Sequence, residues 1–345
     1  MEFIKETLKK LCSLMTVSGF EKMGYKDICE IASPLADIVK EDSFGNLVLV
    51  KRCGRENAKG LMIDAHFDTV GMMVTDIHEG GFLSVVNIGG LDTRILPSAE
   101  VCVYGKEKIY GIVSSVPPHL KKSGKGSVPK IEELYIDTGY SEEALKELVR
   151  VGDPVIIEGD FTELKNNFVS AKHLDDKACL CACLDALRKI EKERLCYDLY
   201  ITVSAQEETG KCGAALCAYT VKPDFAIITD VNFGAIDKDN EYETVKCGSG
   251  VAIDISSLVD RRLTRGVIKH LTEKNIPYQR ICEPSYTYTN NDLISVTGTG
   301  VPTLLLSVPL RSMHTPVETV CLDDIKSLAD VLCELAYTDL EAIRG

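Results

Sequence analysis

The chain reads Leu199-Tyr200-Ile201-Thr202-Val203-Ser204-Ala205-Gln206-Glu207-Glu208-Thr209-Gly210, an apolar run that ends on two adjacent carboxylates. The run predicts a buried strand, and a buried carboxylate needs a partner because removing a charge from water is costly. A divalent cation with a bound water would satisfy two such groups. Glu208 is therefore a candidate metal ligand and Glu207 a candidate proton acceptor. If the segment is extended, the two side chains point to opposite sides.

Strands and helices alternate around this run. Apolar strands are predicted at Leu61–Ala65, Phe225–Asp230 and Thr303–Val308, and helices at about 176–193 and 322–336. This alternation predicts an α/β fold with a mainly parallel mixed sheet sandwiched by helices. Ligands of such sheets bind at the carboxyl ends of the strands, so polar residues at those ends are functional candidates.

Residues 70–165 differ in character from the rest of the chain. Short β-rich runs are separated by Gly and Pro, and one helix is predicted, at Ser141–Val149. We expect a small, barrel-like β domain at 70–165, inserted into a main domain of residues 1–69 and 166–345. The basic, glycine-rich segment Lys121–Ser127 lacks the spacing of a phosphate-binding loop and is interpreted as a surface loop.

Composition excludes several classes of protein. The net charge of −13 argues against nucleic acid as a partner, since phosphate binding needs a basic face. Apolar runs are too short to span a membrane, and the N-terminus predicts an amphipathic helix rather than a signal peptide. A cytoplasmic location is therefore expected. The fourteen cysteines contain no Cys-x-x-Cys pair and are interpreted as small core residues.

Candidate ligands and bases recur at the predicted strand ends. Besides the two glutamates they are His66, Asp68, Asp175, Asp230 and His314. His66 and Asp68 lie two residues apart, so in an extended segment they face the same side, and Asp68 can accept the second ring N–H of His66. Each residue alone has a simpler interpretation, such as an N-cap for Asp175. Their convergence on one sheet edge favours a metal site.

Five motifs contain these residues: Ala65-His66-Phe67-Asp68-Thr69-Val70-Gly71, Leu174-Asp175-Asp176-Lys177, Ala205-Gln206-Glu207-Glu208-Thr209-Gly210, Thr229-Asp230-Val231 and Met313-His314-Thr315-Pro316-Val317-Glu318. In this order they closely resemble the glutamyl and tetrahedral aminopeptidase family of di-metal peptidases. The resemblance extends over nearly the whole chain.

The resemblance implies two divalent metal ions per subunit, zinc or cobalt before manganese. One ion would be held by His66, Asp175 and Asp230, and the other by Asp175, Glu208 and His314, with Asp175 bridging. Glu207 would be the general base towards a metal-activated water, and Asp68 the partner of His66. The resemblance also implies a cis peptide bond between Asp175 and Asp176.

The implied activity is removal of N-terminal residues from peptides with free N-termini. The implied assembly is a homo-oligomer, with dimers formed through the insertion and combined into a dodecamer. A di-metal carboxypeptidase or N-deacylase uses the same ligand pattern, and a catalytically inactive metal-bound scaffold is a further alternative. A glycosidase is disfavoured because adjacent glutamates cannot flank a sugar bond at the roughly 5–9 Å that its two carboxylates require.

The sequence departs from the family near its last strand. Tyr288-Thr289-Asn290 stands where the family usually has Gly-Thr-Asp, and His173, Lys177 and Ser312 replace other residue types. The seven candidate metal and base positions are intact. The preferred N-terminal residue of the substrate and the effect of Asn290 stay open at this point.

Overall fold

The structure, a computed structural model, describes residues 1–114, 128–236 and 245–345. The segment Lys121–Ser127 lies outside the described residues. Within the described ranges, no helix combines the length and apolar composition that a membrane span requires.

The strands of the described residues alternate with helices in most of the chain. The strands are β1 (Ile38–Glu41), β2 (Leu47–Lys51), β3 (Gly60–His66), β4 (Gly71–His78), β5 (Phe82–Ile88), β6 (Glu100–Tyr104), β7 (Lys108–Val113), β8 (Ile136–Asp137), β9 (Pro154–Ile157), β10 (Thr162–Glu163), β11 (Phe168–Ala171), β12 (Asp198–Ser204), β13 (Phe225–Phe233), β14 (Ala252–Ser256), β15 (Gln279–Glu283), β16 (Thr303–Arg311) and β17 (Glu318–Cys321). The helices are α1 (Glu2–Cys12), α2 (Tyr25–Ala32), α3 (Glu142–Leu148), α4 (Leu174–Lys189), α5 (Glu207–Gly210), α6 (Cys212–Val221), α7 (Arg261–Glu273), α8 (Asn291–Ile294), α9 (Leu322–Ala336) and α10 (Leu340–Arg344).

Four central strands of the large sheet run parallel. The main path is β1-β2-β12-β3-β13-β16-β17-β11-β10, and parallel pairing joins β12, β3, β13 and β16, whereas antiparallel strands flank them. All but one residue of β3 and of β13 are buried, as expected for strands covered on both faces. The predicted α/β fold with a mainly parallel mixed sheet is confirmed.

Helices cover both faces of this sheet. On one face α4 packs against α9, α1 and the central strands, and on the other α6 packs against β12, β3 and α8. The closely spaced cysteines Cys179, Cys181 and Cys183 are buried in α4, where they act as small core residues, and all fourteen cysteines are free thiols. The hydrophobic core thus fixes the strand ends on which the candidate site is built.

Six strands between β3 and β10 form a separate closed barrel in the order β4-β5-β8-β7-β6-β9. The barrel has a hydrophobic core of its own, which includes Met72, Leu83, Val101, Ile136 and Val155. The chain then returns to the main sheet through β11, which pairs with β17. The barrel agrees with the expected β insertion, and the domain boundaries at 70 and 165 stay a prediction.

Candidate active site

The seven predicted residues converge at the carboxyl edge of the parallel strands. His66 is the last residue of β3 and pairs in register with Ser204, the last residue of β12. Glu207 and Glu208 open α5 directly after β12, and Asp230 lies within β13. The other three come from connecting segments: Asp68 after β3, Asp175 at the start of α4 and His314 after β16.

Asp175 lies between the two histidines. Its Oδ1 is 3.1 Å from Nε2 of His66, and its Oδ2 is 3.3 Å from Nε2 of His314. Asp230 Oδ1 lies 3.8 Å from the same His66 atom, and Glu208 Oε1 lies 3.5 Å from Nε2 of His314. The peptide bond between Asp175 and Asp176 is cis, as the resemblance implies.

These contacts define two groups that could each hold a metal ion. Potential ligand atoms within 4.8 Å of one another come from His66, Asp175 and Asp230 in the first group and from Asp175, Glu208 and His314 in the second. Imidazole nitrogen and carboxylate oxygen suit zinc, cobalt and manganese. Oε1 of Glu208 is buried and makes no hydrogen bond within the described part of the chain, so it is available as a ligand. The donor set therefore fits a pair of divalent ions.

The electrostatics of the two groups favour a cation. Burial, together with the neighbouring Asp175, raises the pKa of Glu208 well above its ordinary value, and burial likewise raises the pKa of Asp230. Burial would also raise the pKa of Asp175, but hydrogen bonds with His314 and His66 outweigh it and lower that pKa. The groups thus contain carboxylates that repel one another, and a cation between them would offset that repulsion.

Both histidines are oriented by backbone carbonyls. Nδ1 of His66 lies 3.0 Å from the carbonyl oxygen of Asp68, and Nδ1 of His314 lies 2.8 Å from the carbonyl oxygen of Gly90. When Nδ1 donates its proton to these oxygens, Nε2 keeps a free lone pair towards Asp175. A Cβ on Gly90 would lie 3.2 Å from Nδ1 of His314, so a side chain there would crowd the ring.

The carboxylate of Asp68 lies closer to the backbone of the two glutamates than to the ring of His66. Oδ1 and Oδ2 accept the backbone N–H groups of Glu207 and Glu208 at 2.9 and 3.0 Å, whereas Nδ1 of His66 is 3.6 Å from Oδ1. Gln206, with φ of 58°, turns the chain, and the glutamates begin the short helix α5. The expectation of an extended segment here is therefore wrong, because Asp68 satisfies the N–H groups that a helix start leaves free.

Glu318 connects two members of the second group, Asp175 and His314. It was not predicted from the sequence as a site residue. Its Oε2 accepts the N–H of Asp175 at 3.1 Å and its Oε1 accepts the N–H of His314 at 2.7 Å. Burial, with the nearby charge of Asp175, raises the pKa of Glu318 to about 8. A signal was present, since Glu318 ends the motif that contains His314, but only the fold shows that it contacts Asp175.

Glu207 lies beside the two groups and belongs to neither. Its side chain is buried, and its Oε1 is 3.4 Å from Nζ of Lys211, which follows α5 with φ of 62°. Burial raises the pKa of the Glu207 carboxyl. Sequence reasoning missed Lys211, because the contact depends on the turn after Gly210.

Asn290 belongs to the buried layer beneath the site. Its Nδ2 donates to Oδ2 of Asp64 at 2.8 Å and to Oγ of Ser204 at 2.9 Å, and its side chain is almost fully buried. Thr202 also donates to the Asp64 carboxylate. The amide at position 290 thus has a structural reason in this chain, since it supplies a donor to a buried carboxylate.

An open cleft of about 440 Å³ gives access to the candidate site. One part of its wall carries the two candidate metal-binding groups and Glu207. The remaining wall is formed by Lys211, Val231, Asn232, Phe233, Glu283, Thr287, Tyr288, Thr289 and Met313. The cleft therefore places polar, acidic and aromatic side chains beside the candidate catalytic groups.

Comparison with known proteins gives consistent matches. Residues 45–331 match the family model of the M42 glutamyl aminopeptidases. A lysyl aminopeptidase of Pyrococcus furiosus is 31% identical over 98% of this chain and 97% of its own length. The aminopeptidase APDkam598 from Desulfurococcus kamchatkensis superposes with a TM-score of 0.91 at 29% identity, covering 100% of this chain and 98% of that one. The Pyrococcus horikoshii TET1 peptidase superposes with a TM-score of 0.85 at 29% identity, covering 96% of this chain and 99% of that one.

Proposed function

This chain belongs to the M42 glutamyl aminopeptidase family and is a metallo-aminopeptidase, and from that premise we propose that it uses two divalent ions and Glu207 as the general base to remove N-terminal residues from peptides. The observation that carries the proposal is the position of Asp175, whose two carboxylate oxygens lie 3.1 and 3.3 Å from His66 and His314. One carboxylate can thus serve both groups.

The proposed ligands are the two groups described above. Zinc or cobalt would bind to His66, Asp175 and Asp230 and to Asp175, Glu208 and His314, with manganese as a further possibility. When bound, the ions supply Lewis-acid chemistry: they polarise the scissile carbonyl and lower the pKa of a water towards neutrality. Glu318 and Asp68 hold the ligand segments in position through backbone N–H groups.

Glu207 supplies the proton transfers. Its carboxylate stands outside both groups and lines the cleft, so Oε1 or Oε2 can accept a proton from the attacking water and then give it to the leaving amine. Lys211, 3.4 Å from Oε1, favours the ionised carboxylate that a base requires. The carboxylates of the cleft also favour a substrate whose α-amino group is free and charged.

We also propose that the chain forms a homo-oligomer. The similar structure PhTET1-12s is a dodecamer, and the Pyrococcus horikoshii TET1 peptidase can assemble into a tetrahedron or a large octahedral shell. The barrel here exposes Tyr110 and Ile112 on β7, an apolar surface that suits contact with a second copy. Dimers would form through residues 70–165 and combine into a dodecamer.

The experiment that tests the activity is chelation followed by metal add-back. Purified protein is treated with a chelator, dialysed, supplied with zinc, cobalt or manganese, and assayed with one peptide in free and N-acetylated forms. Hydrolysis of the free peptide alone, lost on chelation and restored by metal, is the expected result. Release of acetate would indicate an N-deacylase, removal of the C-terminal residue a carboxypeptidase, and no turnover a scaffold. The names of the relatives include lysyl and glutamyl aminopeptidases, so they do not decide the N-terminal residue.

A further inference from the structure

Resting on the proposed function, we infer that Glu283 makes the cleft select peptides whose N-terminal residue has a cationic side chain, lysine or arginine. Glu283 ends β15 and lines the same cleft as Glu207. β15 pairs in parallel with β14, where Ser256 is in register with Glu283, so a paired strand rather than a free loop carries the carboxylate.

The other carboxylates that line the cleft already have partners or ligand roles. Asp175, Glu208 and Asp230 belong to the two metal-binding groups, and Glu207 faces Lys211 at 3.4 Å. The Glu283 carboxylate makes no ion pair with any residue in the described ranges, and the one hydrogen bond that it accepts there comes from the neutral amide of Asn232. Among the described carboxylates that line the cleft, its negative charge is therefore the one that stays uncompensated after the proposed ions are bound.

Asn232 holds this carboxylate in one orientation. Its Nδ2 donates to Oδ1 of the buried Asp254 at 2.8 Å and to Oε1 of Glu283 at 3.2 Å, while its Oδ1 accepts the N–H of Phe233 at 2.7 Å. The amide is thus fixed from both ends. Oε2 of Glu283 has no hydrogen-bond donor within residues 1–114, 128–236 and 245–345, so it can accept a hydrogen bond from a ligand. A preoriented acceptor loses little entropy when it binds a cation.

The neighbouring wall suits the apolar stem of such a side chain. Phe233, Tyr288 and Met313 line the cleft together with Glu283. Lysine and arginine have methylene stems that pack on apolar surface, and their charged heads are attracted to aromatic rings and carboxylates. Among the described lining residues, Lys211 is the one lysine or arginine, and its contact with Glu207 leaves no free cation for an acidic substrate side chain.

The test compares two substrates that differ in charge. Aminoacyl-coumarin substrates of lysine and norleucine present stems of similar length, with and without a terminal ammonium group. We expect metal-reconstituted wild-type enzyme to have a kcat/KM at least about tenfold higher for lysine, the value of one charge-assisted hydrogen bond. Glu283→Gln should lower the ratio of the lysine to the norleucine kcat/KM by about that factor, and Glu283→Lys should reverse the preference.

Two controls keep the outcomes distinct. Glu273→Gln removes an exposed carboxylate at the end of α7 that is not among the residues lining the cleft, and should preserve the lysine preference. Norleucine turnover reports folding and catalysis in every variant. If wild-type enzyme hydrolyses norleucine but shows no lysine preference, or keeps that preference in Glu283→Gln, the inference fails while the proposed function stands. If it hydrolyses neither these substrates nor free peptides, both fail.

Discussion

Two buried carboxylates, those of Glu318 and Asp68, hold the segments of the candidate site in place by accepting backbone N–H groups rather than by pairing with other side chains. Glu318 accepts the N–H groups of Asp175 and His314, and Asp68 accepts those of Glu207 and Glu208. Each acceptor joins segments that are far apart in sequence. Loss of one acceptor would leave two buried donors unsatisfied, which costs about 1–3 kcal/mol per group.

Glu318→Ala should therefore weaken the second metal-binding group. Without the carboxylate, the segments of Asp175 and His314 lose their common acceptor, and we expect bound metal to fall below two ions per subunit and kcat to fall by about tenfold or more. Elemental analysis after dialysis measures the metal content. Glu163→Ala, on the exposed strand β10, serves as the control and should leave both values unchanged. Wild-type metal content and turnover in Glu318→Ala would contradict the role of this residue.

Asn290→Asp should destabilise the protein in a pH-dependent way. Burial raises the pKa of Asp64 to about 6, so this group stabilises the fold most below its unfolded pKa of about 4 and loses that contribution as pH rises towards 6. Nδ2 of Asn290 lies 2.8 Å from Oδ2 of Asp64, so a carboxylate at position 290 would face a second carboxylate at close range. Above pH 6 this repulsion should lower the free energy of unfolding by a further ~3 kcal/mol. Thermal unfolding should show a small Tm decrease at pH 5 and a large one at pH 8.

The exchange of the two residues provides the control for this prediction. Asp64→Asn combined with Asn290→Asp returns the pair to one carboxylate and one amide, and should recover most of the stability at pH 8. An equal Tm decrease at both pH values, or no recovery in the double variant, would show that the pair does not interact as described.

At the scale of elements, some of the candidate ligands could be located from the sequence because they lie at or near the ends of regular strands. His66 and Asp230 were predictable from apolar runs whose carboxyl ends meet at one edge of a parallel sheet. The short helix α5 was not predictable, because it is started by the carboxylate of Asp68, a tertiary contact between segments 139 residues apart. Lys211 and Gly90 were missed because periodicity does not reveal their contacts: that of Lys211 depends on a local turn, and that of Gly90 on a tertiary contact with His314.

Close packing of α6 on the end of β12 supports α5. A Cβ on Gly213 would lie 2.1 Å from the carbonyl oxygen of Ala205 and 2.5 Å from Oδ1 of Asn46, which accepts the N–H of Ala205. Gly213→Ala should therefore move α6 away from the strand end, lower the free energy of unfolding by about 1–3 kcal/mol and reduce turnover through displacement of Glu207.

Urea unfolding and steady-state kinetics measure the two effects of Gly213→Ala. Gly210→Ala is the matched control, because a Cβ there meets its nearest neighbour, Sγ of Cys212, at an ordinary 3.7 Å. We expect its stability to stay near that of the wild type. Equal behaviour of the two variants would contradict the proposed support of α5 by α6.

At the scale of the whole molecule, the region between β3 and β10 contributes to the site as well as forming the barrel. Gly90, which follows β5, supplies the carbonyl oxygen that orients His314 on the main sheet. The change from helix-strand alternation to short β runs was sufficient to predict a barrel-like insertion. This contact across the two units was not predictable, because neither segment carries a pattern that identifies the other.

The proposed assembly predicts that wild-type protein is larger than a monomer in solution. Sedimentation or light scattering should give a mass many times that of the 37.9 kDa chain, consistent with a dodecamer. Tyr110→Lys places a charge on the exposed face of β7 and should reduce the mass without unfolding the barrel. Tyr219→Lys, on the exposed face of α6, is the control. A wild-type monomer at micromolar concentration would contradict the proposed oligomer.

The central claim is that Glu207 transfers the proton while other residues bind the metal, and Glu207→Gln tests it most directly. The measurement is peptide hydrolysis by Glu207→Gln and wild-type protein that carry the same number of metal ions per subunit. We predict unchanged metal content and a kcat lower by about 10²–10⁴-fold, the usual contribution of a general base. Turnover near that of the wild type, with both ions bound, would contradict the claim.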